Sequence, residues 1–158
     1  NGGASTAVGV EVSGVLQPEI FDRKLYFDAN LSLKQAELED GFGNNPSGSQ
    51  LADSPEVLFT GGVTWEPTSW LVANLSAKYT GERYTDFAEQ IELESYTVVS
   101  AYIDVGGPNS FGVPDNVRLR VNADNLLDEE TLPFGFTGST FLRPLNPRTL
   151  QATLSVDF

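Results

Sequence analysis

The sequence predicts an all-β chain, with antiparallel strands in up-and-down order forming part of a transmembrane β-barrel. Three observations predict it. Apolar and polar residues alternate with a period of two in seven separate runs of roughly ten residues each, the pattern of strands with two different faces. No proline falls inside any of these runs. The connections between them alternate short and long, which sorts the large loops to one end of an antiparallel sheet.

The runs follow in order. In "VGVEVSGVL", Val8, Val10, Val12 and Leu16 share one face, and Gly9, Glu11 and Ser13 the other. In "LYFDANLSLKQ", Leu25, Phe27, Ala29, Leu31 and Leu33 oppose Tyr26, Asp28, Asn30, Ser32 and Lys34. "VLFTGGVTW" sets Val57, Phe59, Val63 and Trp65 against Leu58, Thr60, Gly62 and Thr64. "LVANLSAKYT" sets Leu71, Ala73, Leu75, Ala77 and Tyr79 against Val72, Asn74, Ser76, Lys78 and Thr80. In "YTVVSAYIDV", Val99, Ala101, Ile103 and Val105 form the apolar set. In "VRLRVNADN" it is Val117, Leu119, Val121 and Ala123. The seventh run, Leu150 to Phe158, alternates without a fault and ends on an aromatic ring.

The connections are "QPEIFDR", then the long "EDGFGNNPSGSQLADSP", the very short "EPTS", the long "GERYTDFAEQIELE", the moderate "GGPNSFGVPDN", and the longest, "LDEETLPFGFTGSTFLRPLN". Trp65 and Trp70 flank the shortest turn, Phe158 falls at the same end, and Tyr79 falls at the other. Amphipathic rings at both membrane–water boundaries are expected of a barrel.

Composition narrows the chemistry. The 158 residues include no His, Cys or Met. Disulfides, Cys/His metal sites, thiol catalysis and histidine acid–base chemistry are therefore excluded. The net charge of -13 argues against a nucleic-acid partner. No apolar stretch is long enough for a transmembrane helix, a test that cannot detect barrel strands. The opening residues lack the basic-then-apolar pattern of a signal peptide, and the chain is expected to be cut from something longer.

A soluble, extracellular β-sandwich binding module is the alternative, because its outer faces are polar too. The runs are longer than typical sandwich strands and near the length that crosses a bilayer when tilted. A sandwich also has no reason to sort its loops by length.

The C-terminal third, "VRLRVNADNLLDEETL", a long loop and "NPRTLQATLSVDF", resembles the end of TonB-dependent outer-membrane receptors. The matching residues are Asn125-Leu126-Leu127-Asp128, Pro147-Arg148 and the terminal Phe158, with Gly9-Val10-Glu11 a further likeness near the start. Leu127 stands where the family more often has an aromatic residue. The resemblance covers most of the chain. It implies the last seven strands of a larger barrel, one of about 22 strands closed around an N-terminal plug. Residues 1–158 are then the C-terminal portion of that barrel, and the plug and the TonB-contacting box are expected elsewhere. The implied function is active uptake of a scarce nutrient of the siderophore, cobalamin or glycan class, with no enzymatic step and no cofactor. The implied partners are outer-membrane lipid, the rest of the barrel and its plug, the TonB system through that plug, and the barrel-assembly machinery, which reads the C-terminal strand and Phe158.

Candidate site residues follow from position. Arg83, Tyr84, Phe87, Phe134, Phe136, Phe141 and Arg143 lie in the long loops, where aromatics with arginines suit a planar or anionic ligand. The plainer role is packing loop against loop. Asp104, Arg118 and Arg120 fall on the polar faces of neighbouring strands and are expected to form a charged ladder that contacts the plug. The Asp- and Asn-rich loop after the second strand lacks the regular spacing of a dedicated Ca²⁺ loop. Asn30-Leu-Ser and Asn74-Leu-Ser match the glycosylation pattern, but both fall inside expected strands.

Overall fold

The computed structural model describes residues 4–39, 45–110, 112–133 and 144–158. Nine strands occur among them: β1 (Ser5–Leu16), β2 (Leu25–Leu38), β3 (Val57–Thr68), β4 (Leu71–Thr80), β5 (Arg83–Tyr84), β6 (Glu92–Leu93), β7 (Tyr96–Gly106), β8 (Val117–Asp124) and β9 (Thr149–Val156). Seven of them form one sheet in the order β1-β2-β3-β4-β7-β8-β9, every neighbouring pair antiparallel. This is the expected up-and-down order. β5 and β6 pair only with each other, as a small ribbon inside the loop 81–95 that the sequence pattern did not reveal. Between β1 and β2 the backbone makes a single 3₁₀ turn, Glu19–Phe21.

Register decides whether seven amphipathic strands make one amphipathic sheet, because a slip of one residue exchanges the faces. Here the apolar positions fall opposite one another across every pair. Val10 meets Leu33, Leu31 meets Phe59, Val63 meets Leu75, Leu75 meets Ala101, Ile103 meets Val121, and Leu119 meets Leu154. The result is one apolar surface running from edge to edge. It has no second layer: Val10 is 64% exposed, Ile103 49% and Leu154 65%. A sandwich would bury this face against another sheet, so the soluble-module alternative is not the architecture adopted. The opposite face holds Thr64, only 3% exposed, and is the more enclosed side of the sheet.

Two details follow from packing. The pair Gly61-Gly62 interrupts β3, where glycine is usually unfavourable. A Cβ on Gly61 would stand 2.8 Å from the Phe59 ring, and one on Gly62 would stand 2.9 Å from the Asp28 carboxylate. Both neighbouring side chains need that space, one on each face. β3 also runs through Pro67, beyond the expected end of the run. A register shift between Trp65 and Thr68 accommodates it at the strand's end.

The final strand is shorter than its alternating sequence. β9 ends at Val156. One pair further on in the same register, the Asp157 backbone N–H still donates to the Asn116 carbonyl at 2.9 Å, and the Asn116 side-chain amide donates to the Asp157 carbonyl at 2.8 Å. This pair fastens the chain to the turn 107–116, and Phe158 projects fully exposed beyond it.

Candidate functional site

Antiparallel order sends the connections to alternate ends. The turns 17–24, 69–70 and 107–116 gather at one end, and the loops 39–56, 81–95 and 125–148 at the other. At the short-turn end the links are local. Gly106 N–H donates to the Trp70 carbonyl at 2.9 Å, and Ser69 Oγ to the Pro108 carbonyl at 3.3 Å.

The long-loop end is built differently, around Arg83. This is the largest fully buried side chain among the described residues, 2% exposed. Its Nε donates to Asp53 Oδ1 at 2.7 Å, and its Nη2 donates to the backbone carbonyl of Pro133. The guanidinium lies 5.7 Å from the centre of the Tyr96 ring. One side chain thus touches all three long loops and the base of β7. Further bonds run between the loops: Asp53 N–H to the Tyr84 carbonyl at 2.8 Å, and Gln50 N–H to Glu89 Oε1 at 2.7 Å.

Beside this junction lies a cleft of about 340 Å³, lined by Gln50, Glu56, Glu82, Tyr84 and Glu92 among others. Its size is that of a small-ligand site. Its carboxylates and tyrosines offer hydrogen-bond acceptors and aromatic edges. Among the described residues no group of acidic side chains is arranged to hold a metal ion. Phe87 lies in the same loop, half-buried. Phe134, Phe136, Phe141 and Arg143 lie outside the described residues.

The base of the third loop is closed by the motif residues. Asn125 is 3% exposed and has a left-handed backbone, φ 51°. Its side-chain Nδ2 donates to the carbonyls of Glu129 at 2.9 Å and Asn146 at 3.0 Å, while its Oδ1 accepts from Glu129 N–H at 2.8 Å. Asp128 then accepts the Arg148 N–H at 2.9 Å, with the Arg148 guanidinium 3.6 Å away. The Asn125–Asp128 and Pro147-Arg148 segments therefore form one clasp. Both segments were marked in the sequence by resemblance alone, and nothing there indicated that they meet.

On the polar face two of the three charges expected to form a ladder meet. Asp104 and Arg120 are direct cross-strand partners of β7 and β8. Arg120 grips Asp104 with both Nε, at 2.7 Å, and Nη2, and its Cζ lies 4.5 Å over the Tyr102 ring. Arg118, one pair along, makes no ion pair among the described residues and reaches back over Gly107. Asn74 donates to Thr64 Oγ1 at 2.8 Å, and Tyr26 donates to Glu66 at 3.1 Å. The polar face is thus a hydrogen-bonded surface, and among the described residues Arg118, like Lys34 and Lys78 on the same face, makes no ion pair.

The sequence offered Arg83 and Tyr84 as ligand-contacting candidates; the structure places Tyr84 on the cleft and buries Arg83 beneath it, held by Asp53 and Tyr96, which the sequence did not mark. Asp53 looked like any solvated acid in a polar loop, and nothing local in the sequence marks its partner thirty residues away.

Comparison with known proteins agrees with this architecture. The family model described as "TonB dependent receptor-like, beta-barrel" matches residues 1–126. No curated protein matches the chain. Among solved structures, the ferric yersiniabactin uptake receptor FyuA from Yersinia pestis superposes with a TM-score of 0.81 at 18% identity, over 100% of this chain and 24% of that one. The ferric citrate transporter FecA gives 0.80 at 16% identity, covering 98% and 24%. The siderophore receptor PiuA from Acinetobacter baumannii gives 0.75 at 22% identity, covering 96% and 22%. The chain thus spans about a quarter of the length of these receptors. With four-fifths of its length matched by the family model and its sheet laid out strand for strand like part of a receptor barrel, the chain belongs to the TonB-dependent receptor β-barrel family of bacterial outer-membrane proteins, which are transport receptors and not enzymes.

Proposed function

We propose that residues 1–158 are the C-terminal portion of the barrel of an outer-membrane receptor that takes up a scarce nutrient through the TonB system, and that the nutrient is of the siderophore class. One observation carries the reading: in a chain of this family, all three long loops are gathered at one end of a lipid-facing sheet and are tied to one another there. A loop cluster held on a rigid scaffold is where binding side chains are commonly placed. Tyr84 lines the cleft, and Phe87 shares its loop, while Phe134, Phe136 and Arg143 belong in sequence to the third long loop. Aromatic side chains on these loops suit a planar ligand. The siderophore names of the neighbouring structures favour the siderophore class over cobalamin.

The rest of the partner set follows from the same reading. The apolar face meets outer-membrane lipid. The polar face, with Asp104, Arg118 and Arg120, lines the lumen and contacts the plug, which in turn meets the TonB system. Phe158 and the β9 edge are read by the barrel-assembly machinery, as an exposed edge strand is a natural partner for strand addition.

The test is uptake by iron-starved cells that carry or lack the intact receptor, given a panel of radiolabelled ferric siderophores, vitamin B12 and oligosaccharides. Receptor-dependent accumulation of a ferric siderophore that stops when the proton gradient is collapsed is the expected result. Accumulation confined to a glycan or a cobalamin would overturn the substrate class. Uptake indifferent to the gradient would overturn the transport mode.

A further inference from the structure

We propose that Arg83 is a positioning residue that joins the three long loops into one body, so that ligand-contacting groups on different loops move together. The part concerning ligand rests on the proposed function; the coupling itself does not.

The argument begins with the cost of the arrangement. A cation taken out of water is tolerated only with close partners. Arg83 is 2% exposed, and one of its guanidinium nitrogens, Nη1, has no hydrogen-bond partner among the described residues. An apolar side chain of similar volume would fill the same space without an unsatisfied donor, and such replacements are often neutral or stabilising. The value of Arg83 therefore lies in geometry rather than in stability.

That geometry is specific to arginine. The planar fork sends Nε to Asp53 in the loop 39–56 and Nη2 to Pro133 in the loop 125–148. Its Cζ lies over the ring of Tyr96 at the start of β7. Lysine offers a single point charge and cannot span these partners. Asp53 transmits the connection further, because its own N–H holds the carbonyl of Tyr84, the residue next to Arg83 and part of the cleft lining. Asp53 has φ 51°, so its backbone is fixed in the left-handed region while its carboxylate holds the arginine. A displacement of any one loop must carry the others or break this junction.

The test uses the intact receptor in detergent or nanodiscs, without ligand. Residues 1–158 contain no cysteine, so Gln90→Cys and Glu130→Cys place paired spin labels on two different loops. Both positions are exposed. The distance distribution is measured in the parent, in Arg83→Met and in Asp53→Asn, alongside thermal stability. The expected result is a narrow parent distribution that broadens by roughly twofold or more in both variants, with the melting midpoint of Arg83→Met at or above the parent value. Unchanged distributions would overturn the coupling. A large fall in melting temperature with unchanged distributions would make Arg83 an ordinary stabilising contact. If Arg83→Met does not fold, the claim that arginine is not there for stability falls, and Asp53→Asn still decides the coupling. Because no ligand is present, a wrong substrate class leaves this result untouched.

Discussion

The side-chain amide of Asn125 donates to the backbone carbonyl of Asn146 across 3.0 Å, and so joins the two ends of the longest loop at the mouth of β8 and β9. The loop's base is therefore fixed. Asn125 is suited to this because asparagine tolerates the left-handed backbone better than most residues while supplying both a donor and an acceptor.

Asn125→Ala removes three hydrogen bonds at a buried position and places alanine at φ 51°. The expected cost is on the order of 2–4 kcal/mol. Asn125→Gly relieves the backbone but not the lost bonds, and should fall between the two. Urea unfolding of the intact receptor in detergent, together with proteolysis of the loop 125–148, measures this. An alanine variant matching the parent in both assays would show that the clasp does not hold the loop.

Val121 and Asn122 are adjacent residues on opposite faces of β8, paired with Ala152 and Gln151 respectively. Val121→Arg puts a charge on the lipid face, which costs roughly 2–4 kcal/mol near the bilayer midplane. Asn122→Arg should cost far less. Unfolding titrations in lipid vesicles compare the two, and equal costs would be incompatible with the assigned faces.

Asp104 and Arg120 are both partly exposed, so their ion pair should contribute only about 0–1 kcal/mol to barrel stability. Its proposed importance is to the plug. Reversing the neighbouring charge, Arg118→Glu, should loosen plug seating and raise ion leakage through the intact receptor in planar bilayers. Stability in urea should stay near that of the parent. Conductance indistinguishable from the parent would remove Arg118 from the plug contact.

Deleting Phe158 should lower surface abundance while leaving ligand affinity of the inserted molecules nearly unchanged, because the residue projects from the end opposite the long loops. Tyr84→Ala should do the reverse, weakening binding roughly tenfold, or about 1.4 kcal/mol, at normal surface levels. Antibody labelling of intact cells and equilibrium binding normalised to that labelling separate the two effects. Normal surface levels with lost binding after the Phe158 deletion would reverse the assignment of the two ends.

The sequence by itself determined the seven main strands, their up-and-down order, the apolar face and the sorting of loops by end. Strand alternation is a local property, and a hydrophobic pattern of period two excludes every register that would exchange the faces, as Ile103 opposite Val121 illustrates. That Asp104, Arg118 and Arg120 share the polar face was legible for the same reason; that Asp104 meets Arg120 and not Arg118 was decided by the β7–β8 register, which alternation alone leaves free to slip by two. What only the tertiary structure decided was the long-loop end. The β5–β6 ribbon is two residues to a side, too short for any periodicity to register. The meeting of Arg83 with Asp53, Pro133 and Tyr96 depends on how irregular segments fold back over the strand ends, and no repeat in the sequence encodes that path. The Asn116 side chain was equally unmarked: its amide donates to the Asp157 carbonyl where the β8–β9 register runs out, a contact set by the path of the turn before β8 and not by alternation.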